Sequence, residues 1–154
     1  IFFNESIKVV YTDFSKLDIS SPGQDLSHYC PDKPLFVINV VDIDIKYNDI
    51  TLKNELNEKT EHYFKNSILI DFNSLAFKYS KKFLGYVDLS KDGDFKEALY
   101  NLYNVFHQLN SLDCDKVYIY NFKFLDNELN VTLWNRLWRA SEGKQIAVPE
   151  SFLI

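Results

Sequence analysis

Residues Asp94–Phe122 read DFKEALYNLYNVFHQLNSLDCDKVYIYNF, and this stretch decides the fold. Apolar residues recur at helical spacing over Phe95–Leu112 and form an unbroken stripe. Asp94 is placed to cap this helix, with Glu97 in the position that completes a capping box. A short turn then leads into Lys116–Phe122, which predicts a buried strand. The stretch therefore predicts a helix followed directly by a strand, which is part of a repeating α/β unit.

Three further segments predict strands of the same sheet. Leu35–Val41 (LFVINVV) is a continuous apolar run rich in β-branched residues, which is typical of a strand buried on both faces. Ser67–Phe72 is a second strand, and Phe83–Leu89 is a third, although Gly85 weakens it. Between the first two, Thr51–Phe64 permits a helix with a favourable acidic-to-basic pairing.

A last helix is predicted near the end of the chain. Asn130 can cap it, and Gly143 is placed to end it as a C′ glycine after about Glu142. Its apolar face comprises Leu133, Trp134, Leu137 and Trp138. Strands that alternate with helices predict an α/β fold, here a small Rossmann-like three-layer domain with a mainly parallel sheet.

The first 34 residues differ in character from the rest of the chain. Apart from the strand-like Ile7–Tyr11 they lack periodicity, and Ser21–Pro34 (SPGQDLSHYCPDKP) holds three of the four prolines. Proline fixes φ, and the Pro-Gly pair within this stretch suits a tight turn. We therefore predict an extended arm over residues 1–34 and one domain over residues 35–154. A structured loop that packs against its own domain is the alternative for Ser21–Pro34.

The amino-acid composition limits the classes of protein to which the chain can belong. The 154 residues are 46% hydrophobic and 25% charged, as in a soluble globular domain. A net charge of −5 argues against direct binding to nucleic acid, and no apolar run approaches the roughly 20 residues that span a membrane. Cys30 and Cys114 lack the spacing of a metal site or a disulfide framework, which predicts free thiols in the cytoplasm. Because the chain contains no methionine, we expect it to be part of a longer protein.

The sequence contains almost none of the motifs that mark a catalytic, phosphate-binding or metal-binding site. Glycine-rich phosphate loops and the G-x-S-x-G elbow do not occur, so we predict no catalytic residue and no cofactor of the chain's own. His28, His62 and His107 make no metal spacing with another ligand residue, so no metal site is predicted either. His107 lies in the long helix beside its apolar stripe and is interpreted as a structural histidine.

Charged residues at two places allow both a structural and a functional interpretation. Asp113 and Asp115 flank Cys114 at a helix-to-strand turn, where turn chemistry explains them more simply than acid–base catalysis. Arg136 and Arg139 are predicted on the side of the last helix opposite its Trp and Leu residues. They are interpreted as solvated residues near the negative helix end, or alternatively as a contact to an anion or to an acidic partner domain.

Three segments, in matching order, resemble the long, two-domain threonylcarbamoyl-AMP synthases. Ser21–Pro34 is similar to the family's linker signature of S/A-P-G, four variable residues, H-Y-x-P and a further proline. Val87–Leu102 resembles the pattern N-L-S-x-x-G-D-[LF]-x-E-A-x-x-N-L. Trp134–Ala140 (WNRLWRA) resembles the closing N-D-R-L-x-R-A, with Trp-Asn in place of Asn-Asp. Two further departures are Gln24–Leu26, where the family often has a basic residue, and Glu128–Asn130, where it has G-L-G.

The resemblance implies an activity that the residues alone do not show. In this family a YrdC-type catalytic domain, expected here before Ile1, joins threonine, bicarbonate and ATP into threonylcarbamoyl-AMP and releases pyrophosphate. The product feeds threonylcarbamoyladenosine formation in tRNA. ATP, with Mg²⁺ as a candidate companion, is then a cofactor of the full-length enzyme only. In such enzymes the linker crosses the mouth of the catalytic cavity, so the resemblance implies that the arm over residues 1–34 is an extended interdomain linker. Its residues implied to cover that site are Pro22, Gly23, His28, Tyr29 and Pro31.

Three hypotheses for function remain open from the sequence. The leading one is an accessory, site-covering domain that is inactive alone and whose partner is its own N-terminal catalytic domain. The second is a non-catalytic module that docks on another threonylcarbamoyl-transfer protein of the tRNA-modification pathway. The third is an independent small enzyme that uses Cys30 with a histidine.

Overall fold

A computed structural model describes residues 32–41 and 64–154, and these residues form a parallel α/β fold. The strands in this part of the chain are β1 (Leu35–Val41), β2 (Ser67–Asp71), β3 (Gly85–Asp88), β4 (Lys116–Tyr120) and β5 (Gln145–Pro149). The helices are α1 (Phe95–Asn110), α2 (Glu128–Ala140) and two short 3₁₀ helices, Phe77–Lys82 and Glu150–Phe152. The α/β class is confirmed. The predicted strand at Ile7–Tyr11, most of the linker and nearly all of the predicted helix at Thr51–Phe64 lie outside the described residues.

The strand order in the sheet is β3-β2-β4-β1-β5. β1 lies between β4 and β5, with Leu35 opposite Val117 and Val37 opposite Gln145. β2 lies between β3 and β4. All of these pairings are parallel, so the five strands end at one edge of the sheet. In open sheets of this kind ligands bind outside the carboxyl ends of the strands.

The sheet separates two buried cores. On one face, strand residues such as Ile70 and Ile119 pack against α1 and α2 through Phe106 and Leu133. On the opposite face, Tyr118 and its neighbours pack against the residues in and around the 3₁₀ helix Phe77–Lys82. Successive residues of a strand point to opposite faces, so strands covered on both sides are apolar at nearly every position. This explains the continuous apolar runs in the sequence.

Helix α1 begins as predicted, with one difference. The Asp94 carboxylate accepts hydrogen bonds from the backbone N–H groups of Lys96 (2.9 Å) and Glu97 (3.4 Å). The Asp94 N–H donates to Ser90 Oγ at 2.9 Å, where a capping box would pair it with the Glu97 side chain. The cap of α1 is therefore tied to the loop that follows β3.

Helix α2 begins earlier than predicted. Asn127 is its N-cap and accepts from the Leu129 N–H at 2.8 Å. Asn130, predicted as the cap, is buried in the first turn, where its Nδ2 donates to the carbonyls of Phe122 (3.1 Å) and Leu125 (2.9 Å). The amide thus holds the preceding loop, since a buried carbonyl without a partner is unfavourable.

The end of α2 also differs from the prediction by one position. Gly143 N–H donates to the Trp138 carbonyl and Glu142 N–H to the Arg139 carbonyl, which is the Schellman pattern. Glu142, with φ of +55°, is therefore the C′ residue, and Gly143 follows it with φ of +71°. Trp138 is 37% exposed and lies over Gly143, where an added Cβ would come within 3.3 Å of its ring. It does not belong to the buried face of α2.

Candidate functional site

Two strand ends, those of β2 and β3, carry aspartates that hold the loops beyond them. Asp71 Oδ2 accepts from the Ala76 N–H at 2.7 Å and from the Tyr86 hydroxyl at 2.5 Å. The intervening residues Asn73 and Ser74 have φ of +52° and +57°, a left-handed conformation that non-glycine residues seldom adopt. The Asp71 carboxylate thus holds the chain in a tight turn as it leaves β2.

Asp88, at the end of β3, joins this turn to the next loop. Its Oδ2 accepts from the Ser74 N–H (2.8 Å) and the Ser74 hydroxyl (3.1 Å), and its Oδ1 accepts from the Ser90 N–H (3.0 Å). Ser90 Oγ in turn accepts from the Asp94 N–H at the start of α1. A continuous hydrogen-bonded network therefore connects the β2 turn, the β3 loop and the α1 cap.

Burial is the main cause of the raised pKa values of Asp71 and Tyr86 in this network. Burial raises the pKa of Asp71 from 3.8 to about 6, although the Tyr86 hydroxyl and two backbone N–H groups stabilise the charged form. Asp71 is fully buried, and its Oδ1 has no hydrogen-bond partner among the described residues. Burial and the Asp71 charge together raise the pKa of Tyr86 far above its usual range. Tyr86 is thus the proton donor in this pair at neutral pH.

The enclosure of the network decides its chemical role. Asp71 is 0% and Asp88 4% exposed, so a substrate has no access to either carboxylate. Both act on the protein's own backbone N–H groups. We conclude that the aspartates position the loops at the carboxyl edge of the sheet and do not perform acid–base chemistry on a ligand.

An Asp71→Asn variant is expected to be about 1–2 kcal/mol more stable than the parent at neutral pH. Between about pH 4 and about pH 6 the folded state keeps a proton that the unfolded state has lost, because the folded pKa is raised. The contribution of this carboxyl group to the free energy of unfolding is therefore fully present below about pH 4. It falls as the pH rises from about 4 to about 6. The amide oxygen keeps the acceptor for Ala76 and Tyr86 without the buried charge, while the amide NH₂ group, placed where Oδ1 has no partner among the described residues, offsets part of the gain. Urea unfolding at a series of pH values measures the difference.

The control for this prediction is Asp92→Asn, which removes an exposed carboxylate from the neighbouring loop. If Asp71→Asn and the parent lose stability equally between about pH 4 and about pH 6, the pKa of Asp71 is not raised in the fold.

A cleft of about 520 Å³ opens at the same edge of the sheet, where β4 and β1 end side by side. The described residues that line it are Asn39, Val40, Tyr120, Asn121, Lys123 and Phe124. Asn39 Oδ1 accepts from Asn121 Nδ2 at 2.7 Å, and Asn39 Nδ2 donates to Gln145 Oε1 at 3.0 Å. The volume of the cleft is in the range of roughly 300–1,000 Å³ typical of small-molecule pockets.

The wall of this cleft is fixed by the fold beneath it. Phe122 is fully buried, with its ring centroid 5.2 Å from those of both Phe72 and Trp134. Asn130 holds the carbonyl of Phe122, and the Lys123 N–H donates to Asn121 Oδ1 at 2.9 Å. The loop that carries Lys123 and the exposed ring of Phe124 is therefore anchored on both sides of these residues.

The last residues of the predicted linker are described, and they are attached at the other edge of the sheet. The Asp32 N–H donates to Asn110 Oδ1 at 2.9 Å, and Lys33 Nζ donates to the Leu109 carbonyl at 2.7 Å. The Pro34 carbonyl accepts from the Val117 N–H at the start of β4. A cation at the C-terminal end of a helix is favourable, so Lys33 fixes the linker end to α1. The five linker residues predicted to cover a catalytic site lie outside the described residues.

The two arginines predicted as an anion or domain contact occupy different environments. The guanidinium of Arg136 lies 5.6 Å from the ring centroid of Tyr103 on α1 and is half-buried. It therefore packs at the contact between α1 and α2, although we expected it to project away from the core. Arg139 is exposed near the end of α2. A contact of either residue with an anion or another domain stays a prediction.

The remaining titratable residues singled out in the sequence show no catalytic arrangement where they are described. Cys114 is buried, and burial raises the pKa of its thiol, which makes it a poor nucleophile. Asp113 and Asp115 are exposed in the turn on either side of it. His107 is exposed on α1, whereas we expected a structural histidine. Within the described ranges no three potential ligand residues gather around a metal position, and no helix is long and apolar enough to cross a membrane.

A comparison with protein families identifies the chain. The family model described as the C-terminal domain of threonylcarbamoyl-AMP synthase matches residues 4–142. The chain belongs to the threonylcarbamoyl-AMP synthase C-terminal domain family. No match is found among curated proteins. The family named from the sequence resemblance is confirmed, and so is the small Rossmann-like α/β fold.

Family membership and the structure together explain the pattern in Val87–Leu102. Asp88 and Ser90 belong to the loop network, and Gly93 has φ of +73°. Asn101 Nδ2 donates to the Leu89 carbonyl at 2.7 Å and so holds the same loop from α1. Asp88 stands where the pattern has asparagine. Ser90, Gly93 and Asn101 match the pattern, belong to this loop or hold it, and do not line the cleft.

Sequence reasoning missed the cleft and the network. Asp71 and Asp88 each end a buried strand, and polar residues at that position were a usable signal because parallel strands end at one edge. Asn121 directly follows β4 and carried the same signal, whereas Asn39, Lys123 and Phe124 did not. They meet because β1 and β4 are neighbours, and the strand order is not readable from the sequence.

Proposed function

We propose that the chain is the C-terminal accessory domain and active-site-covering linker of an L-threonylcarbamoyladenylate synthase. The full enzyme joins threonine, bicarbonate and ATP into threonylcarbamoyl-AMP and pyrophosphate, for threonylcarbamoyladenosine formation in tRNA in the cytoplasm. ATP, with Mg²⁺, is bound by a YrdC-type domain that is the partner of this chain. The observation that carries the proposal is the family match over residues 4–142, which includes the linker stretch and most of the domain.

The linker's task follows from the chemistry of the product. Threonylcarbamoyl-AMP is a mixed anhydride that water hydrolyses, so its synthesis benefits from a site that closes. Prolines restrict the linker backbone, which lowers the entropy lost when it lies across the cavity. His28 and Tyr29 offer hydrogen-bonding groups and aromatic surface to the bound nucleotide.

The attachment of the linker end supports this role. The contacts of Asp32 and Lys33 with the end of α1, and of Pro34 with β4, fix the point at which the linker leaves the domain. A strap restrains a ligand only if its end is held. The accessory domain then acts as a rigid anchor for one end of the linker, and the catalytic domain holds the other.

The direct test replaces His28 or Tyr29 by alanine in the full-length enzyme. We expect about tenfold more hydrolysis of the adenylate per turnover, or an equal loss of nucleotide affinity, because closure is incomplete. Single-turnover assays with labelled threonine separate adenylate released intact from adenylate lost to water. Circular dichroism should show an unchanged fold.

Asp25→Ala, at a variable position of the same linker, is the matched control and should behave as the parent. The 154-residue chain alone should form no adenylate. Equal turnover and equal product loss in the His28 and Tyr29 variants would rule out the covering role. Adenylate synthesis by the chain alone would rule out the accessory-domain assignment itself.

A further inference from the structure

The cleft at the ends of β4 and β1 carries amide N–H groups that have no hydrogen-bond partner among the described residues. Each asparagine amide nitrogen carries two N–H groups. One from Asn39 is used on Gln145, and one from Asn121 is used on Asn39. Because the two amides hold each other, the remaining N–H groups are presented in a fixed arrangement. Lys123 adds an ammonium group to the same wall.

The charge of the lining favours a ligand rich in acceptors. Lys123 is the charged residue among the described lining residues, and no carboxylate is found among them. The chain as a whole carries a net charge of −5. Among the described lining residues, the amide N–H groups and the Lys123 ammonium group together suit an anionic group such as a phosphate.

Phe124 gives the cleft its second recognition element. Its side chain is 66% exposed although a phenylalanine is normally buried, and Tyr120 contributes a second ring to the lining. An exposed ring beside hydrogen-bond donors is a platform on which a flat heterocycle stacks. The cleft thus combines an aromatic platform with a cationic, donor-rich wall.

We propose that this cleft is a binding site for a mononucleotide, with the base stacked on Phe124 and the phosphate held by Lys123 and the Asn39–Asn121 amide pair. The described residues of the proposed site all belong to this chain. The described linker end is fixed at the start of β1, and the cleft opens at Asn39 and Val40, roughly 15 Å further along the strand. It also requires no catalytic domain.

The test is titration of the 154-residue chain with AMP, adenosine and inorganic phosphate, followed by calorimetry and by the amide NMR signals. We expect AMP to bind with a dissociation constant of about 100 µM, and adenosine and phosphate each to bind at least about tenfold more weakly. The side-chain NH₂ signals of Asn39 and Asn121 should shift on AMP binding.

Variants separate the two halves of the site. Lys123→Ala should weaken AMP about tenfold and leave adenosine unchanged, since the phosphate loses its cation. Phe124→Leu should weaken AMP and adenosine alike by about tenfold, and Phe124→Tyr should keep the affinity. Lys91→Ala, which removes an exposed lysine from the loop after β3, should have no effect.

Several outcomes would overturn the proposal. One is the absence of AMP binding at about 1 mM, which is too weak for a formed site. Another is AMP binding that Lys123→Ala and Phe124→Leu both leave intact, because the ligand then lies elsewhere. Binding of a single-stranded RNA oligonucleotide with no binding of AMP would assign the cleft to nucleic acid. None of these results depends on the His28 and Tyr29 variants, so this proposal and the proposed function fail separately.

Discussion

Replacing Phe122 by alanine is expected to lower the free energy of unfolding by about 3–5 kcal/mol. The ring is fully buried and packs against Phe72 and Trp134, so its removal leaves a cavity between the sheet and α2. Phe122 also begins the loop that forms the cleft wall, and its carbonyl accepts from Asn130. Urea unfolding followed by circular dichroism measures the loss.

The chain offers a matched control two positions later. Phe124 carries the same side chain on the same loop but is 66% exposed, so Phe124→Ala should change stability by no more than about 0.5 kcal/mol. Equal losses in the two variants would mean that the loop is not anchored through Phe122. A stable Phe124→Ala protein also ensures that loss of ligand binding in Phe124 variants is not a loss of fold.

Replacing Asp88 by alanine is expected to lower the free energy of unfolding by about 3–4 kcal/mol. The change leaves the N–H groups of Ser74 and Ser90 without their partner and disconnects the β2 turn from the α1 cap. A hydrogen bond to a charged group is worth about 1.5–3 kcal/mol, and unpaired buried donors add to the loss. Amide hydrogen exchange at Ser74 and Ser90 should accelerate along with the global destabilisation.

Asp88→Asn is the informative companion, since the family pattern has asparagine at this position. Its oxygen can still accept from Ser74, and the interaction with the Ser90 N–H is lost, so about half of the destabilisation is expected. Full stability in Asp88→Ala, with unchanged exchange at both serines, would contradict the role given to this carboxylate.

The parts of the fold that the sequence predicted well are those set by local patterns. The stripe of α1 and its Asp94 cap depend on residues close together in the chain, and the apolar runs of β1, β2 and β4 mark strands buried on both faces. The start of α2 was wrong because Asn127 and Asn130 are both good caps, and the choice is made by the buried carbonyls that Asn130 holds. β5 was missed because Gln145–Pro149 is short, partly exposed and ends in proline, as suits an edge strand.

The candidate site was less predictable because it depends on contacts between distant parts of the chain. Asn39 and Asn121 are neither unusual in composition nor part of a motif, and they meet only through the pairing of β1 with β4. Asp71 and Tyr86 likewise become a pair only because β2 and β3 are adjacent. Sequence resemblance found the family, but the matching residues Ser90, Gly93 and Asn101 belong to a loop or hold it, and none of the three lines the cleft.

The position of β1 in the sheet has a consequence for synthesis of the protein. β1 comes first among the described strands, yet both of its partners, β4 and β5, lie about 80 to 110 residues later in the chain. While the chain is growing on the ribosome, β1 therefore waits as an unpaired apolar strand with two open edges. Pairings over such long separations form slowly. The linker's attachment point, formed by the end of α1 and the start of β4, is thus completed only after β4 has emerged. A chain that stops short of Gln145 would leave the β5 edge of β1 open to aggregation.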